Sequence, residues 1–177
     1  MTALQQLDQA ASAKKLEFLL IGGFAVNAHG YSRMTGDIDL AVRKKDRGKW
    51  TNLAQTLGYR VKSEEEAFLQ FDGAGSGQWP LDLMLLNDPT FDGLWAASIE
   101  TPQDDRMFHV VSLDHLLALK LHVLKQAKLH RFMKDFQDVV TLVLINKVNL
   151  RSEKYRQLFE KYGTLDLYEK VIDSCRE

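Results

Sequence analysis

Two aspartates one residue apart, Asp37 and Asp39, stand at the head of the apolar run "DIDLAV". Extended backbone points side chains i and i+2 the same way, so the pair projects together while Ile38 and Leu40 face the opposite side. Like charges at that spacing repel and favour protonation unless a cation compensates them. A hard divalent ion does so, and Mg²⁺ favours one or two carboxylates completed by phosphate oxygens and water. Solvated acids closing the edge of a strand would look the same, and the pair alone leaves both readings open.

Upstream, the buried run "EFLLIGG" stops at Gly22 and Gly23, where a strand hands over to a short helix, "FAVNAHG". Backbone N–H groups at such a junction can bind phosphate, and glycine lets a ligand approach the chain closely. An ordinary tight turn is the competing reading. A third acid, Asp82, lies inside the apolar run "PLDLMLL", where it is either a further metal ligand or a capped acid at a strand end. Asp72, at the margin of the glycine-rich "DGAGSGQW", is the weaker candidate.

The elements that must position these residues follow from periodicity and punctuation. Leu4, Leu7, Ala10 and Ala11 recur at helical spacing. "KKDRGKWTNLAQTLG" reads as an amphipathic helix with Trp50, Leu53, Ala54 and Leu57 on one face. "YRVKS" and "AFLQFDG" read as paired strands, and "FHVVS" as a short strand or an extended lead-in. From Ser112 the pattern is helical: "SLDHLLALKLHVLKQA", "KDFQDVVTLVLIN" and "EKYRQLFEKYG". The expected class is α+β, a mixed β-sheet core with flanking helices over residues 1–111, followed by a C-terminal helical region over 112–177 packed on it.

The string "IGGFAVNAHGYSRMTGDIDLAV" resembles the nucleotidyltransferase superfamily built on the DNA polymerase β palm. Gly-Gly-x-Ala, then His-Gly, then Arg-x-Thr-x-Asp-Ile-Asp looks like the branch of abortive-infection-type toxin nucleotidyltransferases and their bacterial relatives. The resemblance implies that Asp37, Asp39 and Asp82 converge as catalytic carboxylates on Mg²⁺, with Mn²⁺ as the alternative ion. Gly22 and Gly23 would hold the triphosphate of an ATP-like nucleotide. Arg33 would pair with phosphate or with Asp37, and Thr35 would fix the turn. Relatives also carry a helical Lys, then an Arg and a Lys-Asp-x-x-Asp segment, which correspond to Lys120, Arg131 and Lys134 to Asp138; Lys120 and Lys134 would then face the phosphates. Lys120 could equally snorkel to solvent from its apolar helix. Asp135 and Asp138, one helical turn apart, could orient the lysines or simply be solvated. His29 and His109 are read as hydrogen-bonding structural residues.

The implied reaction moves a nucleoside monophosphate from a nucleoside triphosphate to a hydroxyl, releasing pyrophosphate. The acceptor stays open between an RNA or tRNA end, a small molecule such as an antibiotic, and a protein side chain. A toxin-type enzyme would bring an antitoxin partner. The non-enzymatic alternative is an inactive nucleotidyltransferase-fold protein that binds nucleotide or regulates a partner. The formal net charge of −1 gives no global basic field. The cluster Lys120, Lys125, Lys128, His130, Arg131 and Lys134 could still make a local basic face for RNA. One cysteine, Cys175, suits a reducing, cytoplasmic setting. The longest apolar stretch, "FLLIGGFAV", is too short to span a membrane. Oligomeric state is open, with Leu158, Phe159, Leu165 and Leu167 able to close the core or form a dimer contact.

Overall fold

The computed structural model describes residues 1–75, 77–103, 105–126 and 129–176, the side chains of 129–131 excepted. The expected α+β class is what the chain adopts: a seven-stranded mixed sheet in the order β3-β4-β5-β2-β1-β7-β6, with eight α-helices among the described residues. The chain forms two compact units, one of Met1–Ala25 and Met34–Ser112, the other of Val26–Arg33 and Leu113–Glu177.

The first unit holds the whole sheet. β1 (Phe18–Leu20) is buried at every residue and runs antiparallel to β2 (Ile38–Arg43). β2 then pairs in parallel with β5 (Leu81–Leu86), Ile38 opposite Leu81 and Leu40 opposite Leu83. Along β5 the alternation is regular: Leu81, Leu83 and Leu85 are buried, and Asp82, Met84 and Leu86 are half-buried. That period of two turns Leu81, Leu83 and Leu85 to the core and sets Asp82 on the opposite face with Met84 and Leu86. β3 (Arg60–Glu64) and β4 (Phe68–Asp72) are the expected hairpin, with β4 antiparallel to β5.

α1 (Ala3–Ala13) buries Leu4, Leu7 and Ala11. The stretch expected as one helix from Lys44 divides into a 3-10 turn, Lys44–Asp46, and α3 (Arg47–Thr56), which buries Trp50, Leu53 and Ala54. Two elements escape the sequence patterns. α4 (Asp88–Ala96) is capped by the Asn87 side chain, which accepts from the Thr90 N–H, and has Pro89 in its first turn. Arg43 at the end of β2 reaches Asp88 at 3.3 Å and Asp92 at 2.7 Å on this helix, and its guanidinium covers the Phe91 ring. β6 (Ile99–Gln103) pairs antiparallel with β7 (Arg106–Val110), so "FHVVS" contributes a true strand, joined in parallel to β1. His109 is structural: it stacks near Trp95 and shares a 3.0 Å hydrogen bond with the Ser98 hydroxyl.

α2 (Gly22–Ala28) begins in the first unit and ends in the second. The rest of the second unit is helical: α5 (Leu113–Gln126), α6 (Leu129–Ile145), α7 (Glu153–Tyr162) and α8 (Leu165–Ser174). α5 packs on α6 and α7, and α8 on both α6 and α7. Their interior gathers Leu117, Leu121, Val139, Leu142, Phe159 and Val171. Phe159 and Leu167 are thus core, while Leu165 stays exposed. Among the described residues no helix is long and apolar enough to cross a membrane.

Candidate active site

The parallel register of β2 and β5 sets Asp39 directly opposite Asp82. Paired residues on neighbouring strands project to the same face about 4.8 Å apart in the hydrogen-bonding direction. The two carboxylates are therefore neighbours on the half-buried face of the sheet. Asp37 lies one residue before β2 begins, and the Ile38 N–H donates to the Pro80 carbonyl at 2.9 Å. That bond ties the entry of β2 to the entry of β5.

Asp37 and Asp82 each accept a hydrogen bond from a neighbouring side chain. The buried Thr35 hydroxyl donates to Asp37 Oδ1 at 3.0 Å, so Thr35 fixes the turn as expected and also aims the carboxylate. The Gln70 amide donates to Asp82 Oδ2 at 3.1 Å from its place opposite Asp82 across the β4–β5 pairing. Gln70 was not a sequence candidate. Its polarity in "AFLQFDG" is a weak signal that becomes specific only once the strand register is known.

The glycines have a tighter role than a turn requires. Gly22 has φ +56°, in the region that penalises other residues, and a Cβ built on it would fall inside the Asp39 carboxylate. A Cβ on Gly23 would fall on the Thr35 side chain, the group that holds Asp37. One glycine thus makes room for one acid, and the next for the support of another. The Ile21 N–H donates to the Asp39 carbonyl at 3.1 Å and seats the turn on β2. α2 is short, and its first bond is the Ala25 N–H to the Ile21 carbonyl at 3.3 Å. The N–H groups at the start of any helix have no acceptor within the helix itself.

Would these residues suit a hard divalent ion? Their donors are carboxylate oxygens, the right chemistry for Mg²⁺ or Mn²⁺. Among the described residues, however, no three His, Cys, Asp or Glu side chains are gathered so as to hold a metal by themselves. Of the three acids expected to converge, Asp39 and Asp82 stand in register on neighbouring strands and Asp37 precedes the entry of β2. A pair fits an ion that takes one or two protein carboxylates and completes its shell with phosphate and water.

In the second unit the predicted cations have protein partners. Arg33 makes a bidentate pair with Asp138, Nε and Nη2 each at 2.7 Å. Lys120 Nζ lies 2.7 Å from both Asp135 and Asp138. Neither Asp37 nor phosphate is needed to explain Arg33, and Lys120 does not snorkel: its side chain is 9 % exposed and Asp138 1 %. Burial pushes the Asp138 carboxyl up, but Arg33 and Lys120 outweigh it and hold the group below its ordinary value. Lys134 is exposed on α6. Of the basic cluster, Lys128 and the side chains of His130 and Arg131 lie outside the described residues. Asp72, the last residue of β4, pairs with Lys62 on β3 at 3.2 Å.

No family model matches the sequence, and no curated protein matches it. Solved structures do. The aminoglycoside-resistance factor ANT(2'')-Ia, in complex with adenylyl-2''-tobramycin, aligns over 90 % of this chain and 97 % of its own at 17 % identity and TM-score 0.67. The lincosamide adenylyltransferase LnuA, bound to lincomycin, aligns over 79 % of this chain and 96 % of its own at 16 % identity and TM-score 0.59. MenT4, a nucleotidyltransferase toxin from Mycobacterium tuberculosis, aligns over 98 % and 80 % at 14 % identity and TM-score 0.51. At these identities the likeness establishes the fold, and the fold of this chain is that of the nucleotidyltransferases.

Proposed function

We propose that this chain is an active nucleotidyltransferase, moving a nucleoside monophosphate from a nucleoside triphosphate onto a hydroxyl. The observation that carries this reading is the register of Asp39 against Asp82 beneath the Gly22 turn. Asp39 stands side by side with Asp82 on a core sheet, Asp39 against Gly22 and Asp82 beside Gln70, an acidic pairing that a cationic ligand would stabilise.

Asp37, Asp39 and Asp82 would hold a divalent ion, Mg²⁺ or Mn²⁺, which when bound supplies positive charge to phosphate oxygens. The chain's own residues do the rest. Thr35 keeps Asp37 aimed, and Gln70 does the same for Asp82. The backbone at Gly22 and Gly23 admits the phosphates. Asp82 takes the proton of the acceptor hydroxyl as its oxygen bonds to the α-phosphorus. The bond from that phosphorus to the β-phosphate oxygen breaks, and pyrophosphate leaves. Arg33 and Lys120 are read as a charge-balanced support of the helical unit, and Lys134 as a phosphate-directed cation.

The acceptor carries a hydroxyl. Two of the similar structures hold antibiotics or an adenylylated antibiotic and one is a toxin, so RNA and small molecules are both to be assayed, and an antitoxin partner belongs to the toxin version alone. Incubation with α-labelled nucleoside triphosphates and Mg²⁺, offering total RNA, a cell lysate and a panel of aminoglycosides and lincosamides, should label one acceptor class. Asp39→Asn and Asp82→Asn should each lower pyrophosphate release on the order of 10²-fold or more, the scale of losing a charge-stabilising group. Equal release by wild type and Asp39→Asn would refute the assignment. Calorimetric silence with all four triphosphates, with and without Mg²⁺, would favour the inactive regulatory protein instead.

A further inference from the structure

Phe24 follows Gly23 directly in the chain, and Trp79 lies two residues before the strand that carries Asp82. The structure brings their rings together, centroids 6.0 Å apart and planes tilted by 39°. Trp79 nevertheless keeps 39 % of its surface exposed, and Phe24 is half-buried. Met34, next to the Thr35 that supports Asp37, is 92 % exposed. Two exposed apolar side chains, Trp79 and Met34, and the half-buried Phe24 thus stand among the residues next in the chain to those that frame the carboxylates.

Trp79 is held firmly. The Ile38 N–H bond to the Pro80 carbonyl fixes the backbone just after it. Just before it, Gln78 donates its side-chain amide to the Leu57 carbonyl at 3.0 Å and accepts from the Ala74 N–H at 3.0 Å. A Cβ at Gly73 would meet the Gln78 backbone, so the loop closes tightly behind the indole. An aromatic ring anchored on both sides yet exposed is preorganised for a planar ligand, because it loses little freedom on binding.

We infer that Phe24 and Trp79 form a stacking shelf for a nucleobase at the border of the carboxylate site. This deepens the proposed function and rests on it for the identity of the ligand. The base belongs either to the incoming nucleoside triphosphate or to the terminal nucleotide of an RNA acceptor. Both present the same π-face to the indole, and stacking of this kind tolerates any base. A sugar-based antibiotic has no such face.

Tryptophan fluorescence tests this in a Trp95→Phe background, where Trp50 is buried and Trp79 is the exposed reporter. Nucleoside triphosphates or a short RNA should quench the emission, whereas inorganic tripolyphosphate should not. Trp79→Ala should raise the nucleotide or RNA KM about ten-fold or more, the scale of one lost base stack, with kcat much less affected. Trp79→Phe should restore most of the loss. Quenching by triphosphates without RNA places the donor base on the shelf; quenching by RNA without triphosphate places the acceptor base there. Equal responses to tripolyphosphate and nucleotide, a response to aminoglycosides alone, or an unchanged KM in Trp79→Ala would overturn the shelf. If Asp39→Asn abolishes transfer while Trp79→Ala is indifferent, the shelf fails and the function stands. If nucleotides quench Trp79 while Asp39→Asn transfers normally, the function fails and the shelf stands.

Discussion

Two sets of acids in this molecule meet opposite fates. In the helical unit, Asp138 is sealed from water with Arg33 gripping both its oxygens and Lys120 beside it. On the sheet, Asp37 and Asp82 accept hydrogen bonds from uncharged groups, Thr35 and Gln70. A guanidinium neutralises a carboxylate; a hydroxyl or an amide only orients it. The helical acids spend their charge on the fold, and the sheet acids are aimed without being neutralised by those two partners. A buried ion-pair cluster therefore holds Asp138, whereas a hydroxyl and an amide orient Asp37 and Asp82.

The sharpest separation of the two comes from removing one charge in each. Asp138→Asn should cost about 3 kcal/mol of stability, because it removes the buried carboxylate shared by Arg33 and Lys120 and leaves Asp135 to balance Lys120, whereas Asp39→Asn should cost less than about 1 kcal/mol or even stabilise by relieving repulsion. Urea midpoints for the two variants measure this directly, and equal losses would abolish the distinction. Gly22→Ala probes the sheet side through geometry. It should cost about 2 kcal/mol from the left-handed backbone and from the collision with Asp39, and it should impair transfer. Gly36→Ala, where an added Cβ meets nothing, is its control. The gentlest probe is acid. Asp138 is held below its ordinary value in the folded chain, so its contribution is complete above the unfolded value near pH 3.9 and declines as pH falls through the folded one. Asp138→Asn should flatten that acid limb of a stability-against-pH curve; an unchanged limb would show that other carboxylates govern it.

The site was legible in sequence where its logic is local. An alternation of two draws attention to Asp37 and Asp39, although β2 begins only at Ile38, and Asp82 is conspicuous among leucines. What chain order hides is pairing. Asp39 meets Asp82, and Asp82 meets Gln70, only through strand registers that span non-adjacent segments. Arg33 finds Asp138 across 105 positions, so neither its neighbours nor its spacing could name that partner. The closeness of Gly22 to Asp39 and of Gly23 to Thr35 is hidden in the same way, because those side chains come from later segments. α4 was overlooked for a different reason: its nine residues bury Phe91 alone, too little to produce a helical stripe, although Asn87 and Pro89 mark its start. β6 carries a proline and mostly exposed residues, so it too lacks an alternation to detect.

The path of the chain has one more corollary. Because Val26–Arg33 groups with the helices that begin at Leu113, the polypeptide leaves the sheet unit midway through α2, returns at Met34, and leaves again near Ser112. No single scissile point can release either half intact. During synthesis the early octapeptide must wait until Asp138, the companion of Arg33 and 105 positions further along the chain, has been made. Truncation at the apparent boundary would therefore yield an orphaned strip of chain rather than a free-standing catalytic half.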